Sequence, residues 1–101
     1  MERSIICKSL DEVRLHIDAI DREMVNLLAQ RGDFVAQAAR FKKTTDDVRA
    51  PQRVEQVIAK VTILAKELNA NPTVVEAVYR AMISAFINAE LVEHAALADS
   101  R

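Results

Sequence analysis

Glycine occurs once in these 101 residues, proline twice, cysteine once, and tryptophan not at all. Turn-rich all-β folds need many more glycines and prolines, so their scarcity points to helices. The single Cys7 has no partner for an internal disulfide, and no cysteine–histidine group has metal-ligand spacing. Neither a metal nor another cofactor is expected, and a reducing cytoplasm is the expected setting. One Tyr and three Phe are the only aromatics, so the core must be built from Leu, Ile, Val, Ala and Met. Neither sign of charge dominates: 14 basic and 15 acidic side chains leave a net charge of −1. That balance excludes the broad basic footprint of a nucleic-acid binder, so any functional positive charge must be local. The apolar run near the N-terminus is too short for a signal peptide. No stretch approaches the roughly 20 apolar residues of a membrane span. Neither nucleic acid nor a membrane is therefore expected as a partner.

What is present is half apolar and 29% charged, a balance that supports a packed core rather than disorder. The length fits one domain. Apolar periodicity predicts three helices, about residues 10–43, 51–69 and 72–97. The first opens on Ser9 as N-cap, with Glu12 three residues later as its capping-box partner. Its stripe runs through Val13, Ile17, Ile20, Met24, Leu27, Leu28, Val35 and Ala38. Gly32 interrupts it at a cost of about 1 kcal/mol. Pro51 suits the first turn of the second helix. Asn71 and Pro72 form the corresponding start of the third, whose stripe includes Val75, Val78, Met82, Ile83, Phe86 and Ile87.

The first helix carries the architectural argument. About 34 residues make a rod of roughly 50 Å, whereas a compact chain of this length has a radius of gyration of about 13 Å. The rod is apolar at both ends, and a second copy of the chain is the simplest cover. An intertwined homodimer is expected. The alternative is a helix broken at Gly32, folded into a monomeric bundle.

Three cations on this helix invite a reading: Arg14, Arg31 and Lys42. Arg31 and Lys42 are eleven residues apart, which on a continuous helix returns to within about 20° of one face, roughly 16 Å along. Val35 and Ala38 lie between them. Two long cationic side chains around a small apolar floor suit a small dianion, and arginine binds carboxylates in bidentate fashion. Arg14 is roughly 25 Å from Arg31 along the axis, too far to reach the same ligand. If it belongs to the site, it is Arg14 of the partner subunit. Taken singly, each is equally an ordinary surface cation.

The combination resembles a known family. Arg14, the I-D-x-I-D run at 17–21, L-L-A-Q-R at 27–31, the A-A-R-F-K run ending at Lys42 and R-A-P-x-R at 49–53 look like the helical chorismate mutase family. The resemblance covers roughly residues 8–95 and is nearest the bacterial isochorismate pyruvate-lyases of salicylate biosynthesis. It implies an all-α chorismate mutase type II fold: an intertwined homodimer of three-helix chains with a very long first helix. By the same resemblance, Arg31, Arg53 and the partner subunit's Arg14 hold the carboxylates of a small dicarboxylate substrate. Lys42 contacts a carboxylate and the ether oxygen, Glu90 contacts that oxygen from the third helix, and Ala38 and Ile87 form apolar walls. Pericyclic reactions of this kind need no protein nucleophile. Holding a reactive conformer and stabilising charge on the ether oxygen is sufficient.

Two departures from the family pattern matter. Many relatives have Gln where this chain has Glu90; an amide donates at any pH, but a carboxyl donates only when protonated. Some fungal chorismate mutases also carry Glu there. Positions 50 and 54 are Ala50 and Val54, where typical mutases carry acidic residues that engage the ring hydroxyl. The lyases look similar to this chain in lacking them, which favours isochorismate cleavage to salicylate and pyruvate with weaker chorismate mutase activity. A dedicated chorismate mutase is the alternative reading. A non-catalytic dimerisation or regulatory module is the alternative of another class, but it gives no reason to keep Arg14, Arg31, Lys42 and Arg53 together. A coiled-coil adaptor would need sustained heptads. His16 and His94 read as unaccompanied surface or core residues, Cys7 as a bystander, and Asp46 and Asp47 as a solvated loop.

Overall fold

The computed structural model describes residues 5–99, and side chains through Leu97. It is all-α, with helices α1 (Leu10–Ala39), α2 (Thr45–Arg49), α3 (Pro51–Glu67) and α4 (Pro72–Asp99) and no strand among the described residues. No helix is long and apolar enough to cross a membrane. The chain divides into two units, residues 1–33 and 34–101.

The first unit holds most of α1. Ser9 Oγ accepts the Glu12 N–H at 3.1 Å, as an N-cap should. The Glu12 carboxylate reaches one residue past the cap and accepts the Lys8 N–H at 3.1 Å. Asp11 and Glu12 place negative charge at the positive end of the helix dipole. The apolar stripe faces outward: Val13, Ile17, Ile20, Met24, Leu27 and Leu28 are all exposed, Ile20 by 58%. The helix runs through Gly32 without a break.

In the second unit α1 ends at Ala39, four residues short of the sequence expectation. The N–H groups of Arg40, Phe41 and Lys42 bond carbonyls three residues back, at 3.1, 3.0 and 3.4 Å, so the last turn tightens and stops. The cause lies just beyond. Asp47 accepts the N–H groups of Lys43 and Thr44, while Thr44 Oγ1 accepts the Asp47 N–H. This capping box starts α2, so residues expected as a solvated loop are helical. Val48, only 2% exposed, anchors α2, which packs on α4.

Ala50 joins α2 to α3 in the left-handed region, at φ 38° and ψ 60°. Pro51 disfavours the right-handed helical region for the residue before it, and the Ala50 N–H still closes α2 on the Asp46 carbonyl at 2.9 Å. Helix α3 buries Ile58, Val61 and Ala65, α4 buries Ile83, and the two helices pack together. A Schellman motif ends α3: Asn69 is left-handed, its N–H bonds the Lys66 carbonyl and the Ala70 N–H bonds that of Ala65. Asn71 Oδ1 then caps α4 through the Thr73 and Val74 N–H groups. Arg80 ties α4 to α3, forking onto both Glu55 oxygens at 3.1 Å while its Nε holds Glu76.

Candidate active site

Ile83, Ile87, Glu90 and His94 recur at spacings of four, three and four along α4, so they share one face. Glu90 is 5% exposed and is the one charged residue buried among the described residues. A buried carboxylate needs a partner. Lys42 supplies it: its Nζ lies 2.6 Å from Glu90 Oε2, with the lysine side chain 27% exposed. Among the described residues Lys42 is the partner of Oε2, and no other donor reaches it. An ammonium carries three donors, so one carboxylate oxygen does not exhaust Lys42.

Lys42 does not reach Glu90 from a helix. It lies three residues past the end of α1, in the turn closed by Asp47. The one-face argument that joined Arg31 to Lys42 assumed a continuous helix through residue 42, and the stop at Ala39 removes that premise. The turn is fixed from α4 as well: His94 Nε2 lies 2.7 Å from the Lys42 carbonyl oxygen. His94, read from sequence as unaccompanied, therefore has a specific partner. Its place on the Ile83–Glu90 stripe was the signal.

The other expected site residues fall as follows. Ala38 is half-buried in the last turn of α1, and Arg53 is exposed in the first turn of α3. Ile87 lines a cleft of about 380 Å³ with Val54, Arg49, Ile83 and Asn88. Val54 thus presents methyl groups to the cleft, and the carboxylate that lines it is that of Glu55. Arg49 was overlooked beside Arg53, although both stand in the quoted R-A-P-x-R run. Arg80 borders the cleft too, but Glu55 and Glu76 neutralise it. Its two bonds hold the Glu55 carboxyl below the usual range, and both carboxylates raise the guanidinium value. In the first unit Arg14 is exposed and Arg31 half-buried on α1. There the structure also groups ligand atoms of Cys7, Glu12 and His16 within 4.8 Å of one another, which their spacing did not reveal. The Glu12 carboxylate is already engaged by the Lys8 N–H.

The chain is thus all-α, with a lysine–glutamate pair set against an apolar face of its last helix. The family model for chorismate mutase type II matches residues 13–91, and the chain belongs to that family. Among curated proteins it is similar to the isochorismate pyruvate lyase of Pseudomonas aeruginosa, 32% identical over 81 residues, which cover 80% of each chain.

Proposed function

We propose that the chain is a pericyclic enzyme acting on chorismate-type substrates, foremost an isochorismate pyruvate-lyase with secondary chorismate mutase activity. The observation that carries the catalytic part is the pairing of Lys42 with buried Glu90 in a chain of this family. In the lyase reaction the enolpyruvyl C–O bond breaks, a ring hydrogen moves to the enolpyruvyl methylene, and the ring becomes aromatic. The products are salicylate and pyruvate, and no proton passes to the protein. Lys42 neutralises a substrate carboxylate and charge growing on the ether oxygen. Glu90 faces the ether oxygen from α4, and a carboxyl group donates to such an oxygen in its protonated form. Arg31, Arg53 and Arg14 of the partner subunit hold the carboxylates, and Ala38 and Ile87 provide the apolar walls.

The choice of isochorismate rests on Ala50 and Val54. Neither offers a carboxylate to a ring hydroxyl, and Val54 borders the cleft. The activity named for the Pseudomonas aeruginosa relative points the same way. The exposed stripe on α1 supports a homodimer, because soluble monomers rarely expose so large an apolar face. That reaction gives the chain a role in making salicylate, with the cytoplasm as the proposed setting. The deciding experiment gives purified protein isochorismate and chorismate in parallel at pH 5 and 7.5, and follows salicylate, pyruvate and prephenate separately. Faster salicylate and pyruvate is the expected result. Fast prephenate with no salicylate makes the chain a dedicated mutase, and no turnover of either substrate leaves a non-catalytic dimerisation module.

A further inference from the structure

We infer that His94 is a positioning residue, holding the backbone of the Lys42 turn so that the lysine side chain keeps its place against Glu90. This rests on the reading of Lys42 and Glu90 as the catalytic pair. Three observations carry it. The His94–Lys42 contact is short, 2.7 Å, part-buried, and bridges residues 52 apart. A carbonyl oxygen only accepts, so Nε2 must carry the hydrogen and the tautomer is fixed. Finally, Lys42 lies outside α1, where no helical hydrogen-bond ladder fixes its backbone direction. The other hydrogen bonds to the backbone of this turn are local: the i−3 bond of its own N–H at 3.4 Å and the Asp47 carboxylate on the next two N–H groups. The Lys42–Glu90 ion pair and the packing of α2 also tie the turn to α4, but His94 is what α4 sets against the Lys42 backbone itself. It stands one helical turn beyond Glu90 on the same face, so a single helix presents Glu90 and sets the height of Lys42.

Small displacements of a catalytic group cost rate more than binding, and about 1 Å reduces turnover by up to roughly 100-fold. The test compares His94→Leu with His94→Gln. Leucine keeps the volume and removes the donor, whereas the Gln amide nitrogen can occupy the Nε2 position and donate. Steady-state kinetics on isochorismate are expected to show kcat down about tenfold or more in His94→Leu, with KM within about threefold and kcat largely restored in His94→Gln. Nitrogen-15 spectra of the wild-type imidazole are expected to show the Nε2–H tautomer. Wild-type kcat in His94→Leu, equal losses in both variants, or an Nδ1–H tautomer would overturn the inference. Wild-type protein inert on both substrates would instead remove the catalytic reading on which it stands.

Discussion

Lys42 and Glu90 meet at 2.6 Å although 48 positions separate them, one from a turn and the other from the buried face of α4. Lys42→Met leaves a buried carboxylate without its cation. The expected cost is about 1–3 kcal/mol, read from urea unfolding, together with loss of turnover. Glu90→Gln keeps a donor but needs no proton. Glu90→Gln is expected to retain turnover of isochorismate, whereas Glu90→Ala, which has no donor, is expected to lose about tenfold or more in kcat. Wild-type kcat in Glu90→Ala would count against donation by Glu90.

The exposed stripe on α1 predicts the oligomeric state. Ile20→Asp places a charge in the middle of that stripe, among Ile17, Met24 and Leu27. Sedimentation velocity is expected to show a dimer for the wild type and a shift toward monomer for the variant. A wild-type chain that sediments as a monomer at all concentrations would dispose of the homodimer and of the partner's Arg14 in the site.

Val48 is the anchor of α2, at 2% exposure. Val48→Ala removes two methyl groups from a filled place and is expected to lower stability by about 1–3 kcal/mol. Protection of the α2 amides from hydrogen exchange should fall with it. Unchanged exchange at Asp47 and Val48 would show that the short helix does not depend on this contact.

Acid should open the same turn. The N–H groups of Lys43 and then Thr44 hold the Asp47 carboxyl below the ordinary aspartate value, which is about 3.9. A depressed folded-state value means that the contribution is complete above the unfolded-state value and lost as pH falls through the folded one. The Lys43 and Thr44 amide resonances are expected to titrate together, with a midpoint below about 3.9. Asp47→Asn should abolish that titration. A midpoint at or above the ordinary value would contradict the capping role.

Ala50 stands in the left-handed region at φ 38°, where a Cβ costs about 1–2 kcal/mol. Ala50→Gly removes that cost and gives part of it back in chain entropy, about 0.5–1 kcal/mol. A net stabilisation of up to about 1 kcal/mol is expected from thermal unfolding. Ala50→Asp is tolerated by the backbone, because Asp visits this region readily. Combined with Val54→Glu, it should shift the product ratio from salicylate toward prephenate.

Most of the architecture was legible because it is local. Apolar spacing marked the long helices, and Ser9, Pro51 and Asn71–Pro72 marked where they start, since caps and helix periodicity act within a few residues. The same sequence marked Lys42 and Glu90 as candidates through a family pattern. What only the tertiary structure decided is how the Lys42 turn is built. The Thr44–Asp47 box is local too, but a continuing helix and a capped restart compete over the same residues. Burial of Val48 between α2 and α4 favours the restart. His94 finds the Lys42 carbonyl only because α4 lies beside that turn, a contact between residues 52 apart that no local rule foresees.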